Sequence, residues 1–275
     1  MAEIKGATRT QHEDRVVTEE PLEIRLATGA PADPARRVSV TMRTPGHDFE
    51  LAAGWLFHEG VIDAADDLSR VAYCTDVQLS AEQEFNVVTV TLSGPPRRSP
   101  GTRYPGITAA SSACGVCGTE SIEEVYAALG DRVSVPRSSD ATLSWSVVRR
   151  MPEMMRDQQR LFAVTGGLHG AALFSPDGDL LELREDVGRH NAVDKISGAR
   201  LLAGAPRGEE VLVVSGRIGF EIVQKAVAAR VSALVAVGAP TSLAVDLARR
   251  TNLCLVGWAR GERAVVYAGD ELLHD

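Results

Sequence analysis

The sequence predicts a mixed α/β protein in which a smaller N-terminal α+β domain precedes a C-terminal three-layer domain built on a mixed sheet. In the first third of the chain apolar and polar residues alternate, which indicates strands buried on one face. Beyond residue 140, short apolar runs alternate with amphipathic helices, which indicates a sheet covered on both faces. We expect the domains to span residues 1–92 and 121–275, with a linker over 93–120 between them.

The N-terminal domain is predicted to run strand, strand, helix, strand, strand. Apolar residues at every second position mark the first two strands: Leu22, Ile24 and Leu26, then Val38, Val40 and Met42. The helix that follows has Asp48 as a candidate N-cap and Gly60 as its end. Two further strands are expected around residues 71–74 and 85–92. This order suits a sheet with one helix over one face.

The linker is predicted from residues 93–106, SGPPRRSPGTRYPG, which include four prolines, three glycines and three arginines. Such a segment buries too little surface to offset the entropy of ordering it, so we expect a flexible, basic arm. The arm ends at Cys114 and Cys117. Ser121 and Glu124 follow with the spacing of a capping box, so both thiols are predicted to lie just ahead of a helix N-terminus.

The C-terminal domain is predicted to start with a helix over about 145–159, interrupted by Pro152. A hairpin comes next, with Asp177 and Gly178 as its turn. Helices and buried strands then alternate: a helix over 187–204, a strand over 210–216, a helix over 220–230, a strand over 232–238, a helix over 240–250 and a strand over 253–259.

Composition excludes several classes of protein. Hydrophobic residues make up 44% and charged residues 24% of the 275 positions, which is typical of a globular chain. A net charge of -8 argues against general binding to nucleic acid or to an anionic membrane. The longest apolar run, residues 231–239, is far shorter than the roughly 18 residues of a membrane span. Because the N-terminus also lacks the apolar core of a signal peptide, we expect a cytoplasmic protein.

The four cysteines divide into two kinds. Cys74 and Cys254 stand in apolar runs and are predicted to be small buried residues. Cys114 and Cys117 form a CxxC pair that is flanked by glycines, which favours a reactive or metal-binding role over a structural one. From the spacing, a sulfur carrier and a redox pair are equally supported. A zinc site ranks below them, because the other ligands would have to come from distant residues: Cys74, Cys254, His169 or His190.

Three clusters in the larger domain are candidate phosphate or cofactor sites. Turns between strand and helix place backbone N–H groups and arginines together at Gly188, Arg189, His190 and Asn191, and again at Ser215, Gly216 and Arg217. A third candidate follows the last predicted strand: Trp258, Ala259, Arg260, Gly261, Glu262 and Arg263. The tryptophan could stack on a base or pterin and the arginines could bind phosphate. Turn glycines and a solvated loop are the structural alternatives.

Five segments, taken in order, resemble a known family. They are CGVCG (114–118), TGGLHGAALF (165–174), REDVGRHNAVDKISG (184–198), VVSGRIGFEIVQKA (213–226) and GWARGERAVVY (257–267). From about residue 20 to the C-terminus the chain resembles the formate dehydrogenase accessory sulfurtransferase family, FdhD. The length of the third segment makes the resemblance specific, which a CxxC by itself would not be.

The resemblance implies a function. Proteins of this family take sulfur from a cysteine desulfurase as a cysteine persulfide and pass it to the bis-molybdopterin guanine dinucleotide form of the molybdenum cofactor, which formate dehydrogenase requires. By motif, Cys114 would bear the persulfide, Cys117 would be an auxiliary thiol, and residues 258–263 would bind the cofactor. GDP would serve as a mimic of the cofactor. A homodimer is an option that the sequence leaves open.

The family's larger domain is similar to cytidine deaminases, but this sequence lacks their chemistry. A zinc deaminase needs a metal ligand followed two residues later by a glutamate, and then a PCxxC motif on the next helix. The corresponding segments here are His190-Asn191-Ala192 and 215–218, SGRI, which contain neither the glutamate nor the thiols. We therefore expect no bound metal and no deaminase activity. The remaining alternative is a non-catalytic chaperone that delivers the molybdenum cofactor to formate dehydrogenase.

Overall fold

A computed structural model describes residues 1–28, 34–74, 80, 84–99, 135 and 142–275. Cys114, Cys117 and the helix predicted after Ser121 lie outside the described residues, as does most of the predicted linker. The domain boundaries at 92/93 and 120/121 therefore stay predictions.

The strands, in chain order, are β1 (Ala2–Lys5), β2 (Thr8–Gln11), β3 (Glu20–Ala27), β4 (Arg36–Arg43), β5 (Leu68–Tyr73), β6 (Val87–Leu92), β7 (Leu143–Ser144), β8 (His169–Phe174), β9 (Leu180–Asp186), β10 (Val211–Val214), β11 (Ala233–Ala236), β12 (Cys254–Arg260), β13 (Arg263–Ala268) and β14 (Leu273–His274). The helices are α1 (Asp48–His58), α2 (Trp145–Val148), α3 (Met151–Gln158), α4 (Arg160–Thr165), α5 (Arg189–Leu202), α6 (Phe220–Ala229) and α7 (Ser242–Arg250). Two short 3-10 helices span Ala65–Asp67 and Asp270–Leu272.

The N-terminal sheet has the strand order β4-β3-β6-β5 within the described residues, and α1 packs on one of its faces. Leu22, Ile24 and Leu26 are at most 2% exposed, so the alternation predicted for β3 is confirmed. The predicted order of strands and helix is confirmed as well. The hairpin of β1 and β2 before it was not predicted; all of its residues are exposed, so no buried alternation marks it in the sequence.

Two local predictions around the start of α1 are wrong. Met42 is 48% exposed whereas Arg43 is buried, and Asp48 does not cap the helix. The cause is one ion pair: Nε and Nη2 of Arg43 donate to Asp48 at 3.0 and 2.9 Å, which occupies the carboxylate and draws the arginine inward. The N-cap is His47, which adopts a left-handed φ of 58°. Gly60, with φ 73°, follows the end of the helix as predicted.

The C-terminal sheet is mixed, and its described strands lie in the order β13-β12-β11-β10-β8-β9. Strands β10, β11 and β12 are parallel, and the remaining pairs are antiparallel. Helices α5, α6 and α7 pack on one face through residues such as Leu212 and Leu234, and α2 and α3 pack on the other through Val213 and Val235. Alternate residues of each strand thus face opposite helix layers, and the predicted three-layer α/β class is confirmed.

The helix predicted over 145–159 is divided into α2 and α3, and α4 follows directly. Pro152 lies in the first turn of α3, where a backbone N–H would have no hydrogen-bond partner within the helix. The proline therefore begins a helix and does not interrupt one. The β8–β9 hairpin is confirmed. Its turn is closed by Gly178 N donating to Ser175 O at 3.0 Å, and Gly178 has φ 95°.

Helices α1 and α5 cross at very close range. A Cβ added to Gly54 of α1 would overlap with the carbonyl of Asp194, and one added to Gly198 of α5 would overlap with the carbonyl of Glu50. Beside this crossing, Asp194 accepts from Lys225 Nζ at 2.6 Å and contacts His58 Nδ1 at 2.5 Å. We call the surface between α1, α5 and α6 the helix seam. It joins the two predicted domains without space for side chains at the crossing point.

No helix in the described part of the chain combines the length and the apolar character needed to cross a membrane.

Candidate functional site

The candidate site lies at the carboxyl ends of β10, β11 and β12, where open α/β sheets bind ligands. The loops after these strands bond to one another, with Gly238 N donating to Gly216 O at 3.2 Å and Trp258 N donating to Gly238 O at 3.1 Å. Because β8 runs antiparallel to β10, its first residues reach the same edge. Ser215 N donates to Gly170 O at 3.0 Å.

A cavity of about 720 Å³ opens at this edge. One wall comes from the strand ends, and the opposite wall comes from the segment that contains α3 and α4. The lining residues are Arg149, Pro152, Glu153, Met155, Arg156, Gln159, Phe162, Gly166, Gly167, Leu168, His169, Ser215, Val237, Ala259, Arg260 and Gly261. Three arginines and one glutamate among them make the lining basic, which suits an anionic ligand.

The α3–α4 wall was missed by the sequence analysis. Its residues show an ordinary helical pattern, and nothing in the sequence places them opposite the strand ends. The guanidinium of Arg156 lies 3.8 Å from the centre of the Phe162 ring, which is a cation–π contact. Gln159 is 2% exposed, and its Nε2 has no hydrogen-bond partner among the described residues.

The predicted cluster at 258–263 contributes half of its members to the cavity lining. Ala259, Arg260 and Gly261 line it, whereas Trp258, Glu262 and Arg263 do not. The interpretation of this cluster as a loop after the last strand is wrong. Residues 258–260 belong to β12 and Arg263 begins β13, so the cluster forms a hairpin turn at Gly261. Trp258 has φ 56° and is 41% exposed, beside an irregularity of the ladder.

The other predicted residues lie next to the cavity. A Cβ on Gly216 would be 3.5 Å from Nδ1 of His169, which lines the cavity, and 3.7 Å from Cδ of Arg189. Gly216, His169 and Arg189 therefore meet at one end of the site. Arg217 is exposed. Burial, followed by the nearby Arg189, lowers the pKa of His169. The imidazole is consequently neutral near pH 7 and can accept a hydrogen bond.

His190 does not line the cavity but pairs with Glu221 of α6, with Nε2 and Oε2 3.1 Å apart. Burial, then Lys225 and Arg189, lowers the pKa of His190 to about 3. Burial raises the pKa of Glu221 to about 7, although Lys225 and Arg189 oppose the rise. The pair therefore holds its proton on the carboxyl group below about pH 7, so Glu221 adds little negative charge beside Arg189 there.

Asp186 fixes the start of α5, where Arg189 stands. Its carboxylate is fully buried and accepts from Gly188 N at 2.8 Å and from Thr44 N at 3.1 Å. Lys195 Nζ lies 2.7 Å away, and Asn191 Nδ2 donates at 3.0 Å. Every lone-pair direction of this carboxylate is used inside the protein, so Asp186 positions the helix and is not available to a ligand.

Of the described cysteines, Cys254 is fully buried, as predicted, and Cys74 is half-buried, with Arg25 Nη1 3.8 Å from its sulfur. Within the described ranges, no three His, Cys, Asp or Glu side chains are grouped so that they could hold a metal ion. Cys114 and Cys117 lie outside these ranges, so their predicted roles stay predictions.

The fold and the cavity define a class of protein: a three-layer α/β protein with a basic cavity at the carboxyl ends of its parallel strands. Within that class the chain belongs to the FdhD/NarQ family, whose model matches residues 17–274. The family predicted from the sequence is thereby confirmed.

Relatives and a solved structure agree with this membership. A protein from Streptomyces avermitilis named sulfur carrier protein FdhD is 45% identical over 96% of this chain and 90% of its own length. A protein of the same name from Mycobacterium tuberculosis is 42% identical over 92% and 90%. A structure from Desulfotalea psychrophila, provisionally described as a formate dehydrogenase accessory protein, superposes with a TM-score of 0.74 at 22% identity and covers 100% of this chain and 97% of its own. The last likeness shows the fold.

Proposed function

We propose that this protein is a sulfur carrier. In this proposal Cys114 receives sulfur from a cysteine desulfurase and passes it to the bis-molybdopterin guanine dinucleotide form of the molybdenum cofactor, in support of formate dehydrogenase. The name shared by relatives at 42–45% identity over nine-tenths of the chain supports the sulfur-carrier part. The single observation that supports cofactor binding is the basic cavity at the strand ends.

The sulfur-accepting step needs a nucleophilic thiolate that a second protein can reach. The thiolate of Cys114 attacks the outer sulfur of the desulfurase's persulfide. A new S–S bond forms on Cys114 while the original S–S bond breaks, and the desulfurase cysteine leaves as a thiolate. Cys254 is fully buried within β12, so a desulfurase cannot approach its sulfur. Cys74 is half-buried, so the choice of Cys114 over Cys74 depends on the CxxC motif.

The cofactor is the substrate that would occupy the cavity. Arg149 and Arg260 are placed to bind its phosphates through charge-assisted hydrogen bonds. The volume of about 720 Å³ is within the range of pockets that enclose one ligand of moderate size. We therefore expect the cavity to enclose one dinucleotide arm of the cofactor, and GDP to bind as a mimic of that arm.

The test of the sulfur-carrier role is mass spectrometry after incubation with a desulfurase and cysteine. The wild-type protein should gain the mass of one sulfur atom, mapped to Cys114, and Cys114→Ser should gain none. Cys117→Ser should still be loaded, and Cys74→Ser serves as the control for a cysteine outside the motif. A protein that activates formate dehydrogenase but never gains sulfur would instead be a cofactor chaperone.

A further inference from the structure

The cavity wall contains one buried side-chain amide that the described residues leave unsatisfied. Gln159, between α3 and α4, is 2% exposed, and its Nε2 has no hydrogen-bond partner within the described residues. Buried amides are almost always hydrogen-bonded, because an unpaired one costs free energy. An unpaired amide that lines a cavity therefore points to a partner that the cavity receives.

The position of this amide is limited by a glycine of β8. A Cβ on Gly170 would lie 2.6 Å from Cδ and from Nε2 of Gln159 and 3.0 Å from Oε1. Gly170 is itself tied to the end of β10, since its N–H donates to Ser215 Oγ at 2.9 Å. The amide thus lies against the backbone of β8 where only glycine leaves room for it.

The surroundings of Gln159 indicate what kind of molecule would meet the amide. Arg156 and Phe162 contact each other in the same wall, and each carries a planar group on which a ring can stack. Arg149 and Arg260 supply positive charge elsewhere in the lining. A planar heterocycle that carries negatively charged groups satisfies all three features.

We propose that the side-chain amide of Gln159 binds the edge of the heterocyclic ring of the ligand and so determines which ring the cavity accepts. This inference rests on the proposed function, in which the ligand is the guanine dinucleotide cofactor. A primary amide presents a donor and an acceptor side by side. They complement the lactam edge, an N–H beside a carbonyl oxygen, which guanine and pterin rings share.

The test compares two ligands that differ only at that edge. GDP has the lactam edge, whereas 2-aminopurine riboside 5′-diphosphate, called the purine riboside diphosphate below, keeps the 2-amino group and lacks only the carbonyl oxygen and the N–H. Calorimetric titration of the full chain should show tighter binding of GDP to the wild type. Gln159→Leu should weaken GDP binding about tenfold or more and leave the purine riboside diphosphate unchanged, because two hydrogen bonds are lost in the first case only. Gly170→Ala should displace the amide and shift the preference in the same direction.

A third ligand separates the two sources of a lactam edge. Hydroxymethylpterin has the edge but no phosphate. If Gln159→Leu weakens GDP, the amide binds the guanine, and if it weakens only the pterin, the amide binds the pterin ring. Both results support the inference and name the ring.

Gln224 of α6 provides a matched control. It is 5% exposed, its Nε2 also lacks a partner among the described residues, and it does not line the cavity. Both Gln159→Leu and Gln224→Leu remove an unpaired buried amide, so both should keep or raise the melting temperature. We expect only Gln159→Leu to lose the preference for GDP, and to lose it without loss of stability. A merely structural role of Gln159 does not produce this result.

Two results would overturn the inference in different ways. In the first, folded Gln159→Leu prefers GDP over purine riboside diphosphate as strongly as the wild type does and binds pterin with unchanged affinity. The amide then does not bind the ring, but the proposed function stands. If the wild type binds neither GDP nor pterin, cofactor binding at this cavity fails and the inference fails with it. Sulfur loading on Cys114 in the same preparation then shows whether the sulfur-carrier role survives.

Discussion

The helix seam and the cavity are both rich in polar groups, but the charged groups at the centre of the seam pair with one another inside the protein. In the seam, Asp194 is paired with Lys225 and with His58, and close backbone contact at Gly54 and Gly198 leaves no space. Although burial by itself raises the pKa of Asp194, Lys225 and His58 bring it below its usual range. In the cavity, by contrast, Gln159 Nε2 lacks a partner within the described residues. The seam therefore holds the protein together, whereas the cavity is the region where we propose that a ligand binds.

The largest effect is expected in the seam. Gly198→Ala places a methyl group into the carbonyl of Glu50, and two backbones have to separate to accommodate it. We expect the free energy of unfolding to fall by about 3 kcal/mol, the upper end of the usual cost of overpacking. Urea unfolding should measure this loss. Gly94→Ala is the control, because no atom lies within 4 Å of the Cβ it would add. Equal stability of the two variants would mean that the seam is not close-packed.

A smaller and purely functional effect is expected at the cavity. Arg260 lines it and Arg263, three residues away, does not, although both are exposed. Arg260→Ala should lower GDP affinity about tenfold through loss of a charge-assisted contact, whereas Arg263→Ala should leave it unchanged. Titration of both variants checks this, and unfolding should show that neither is destabilised. A larger loss in Arg263→Ala would place the ligand on the other side of the hairpin.

The smallest effect is a dependence of the free energy of unfolding on pH. It comes from the pair of His190 and Glu221, which lies between the seam and the cavity. In the unfolded chain the proton is on His190 between about pH 4.5 and 6.5, and in the folded chain it is on Glu221, whose pKa is raised to about 7 while that of His190 falls to about 3. Because the folded and unfolded states each bind one proton, the pair makes the free energy of unfolding of the wild type almost independent of pH over that range.

In each single variant the free energy of unfolding should change with pH, by at most about 1.4 kcal/mol per pH unit. In Glu221→Gln only His190 remains, and the unfolded state binds the extra proton, so stability should fall as pH drops below about 6.5. In His190→Gln the folded state binds the extra proton on Glu221, so stability should fall as pH rises toward about 7. Urea unfolding of both variants across this range measures the slopes. Parallel curves for the two variants would contradict the assignment of the proton.

Parts of the site followed from the sequence, and the rest did not, for a physical reason. Arg260, Gly216 and Arg189 stand directly after or before predicted elements, so the rule that ligands bind at strand ends places them close together. Gln159 and Phe162 have no such marker. They reach the cavity only because α3 packs on one face of the sheet and the chain continues from it directly into α4.

The sequence by itself determined the fold class, the order of the main helices and sheet strands and the family, because hydrophobic periodicity and contiguous motifs are local properties of the chain. Only the tertiary structure decided that Arg43 is buried and Met42 is exposed, because an ion pair with Asp48 outweighs the alternation. It also decided that Gly170 makes room for the amide of Gln159. Such contacts depend on which surfaces meet after the helices pack on the sheet, and no residue pattern within one segment contains that information.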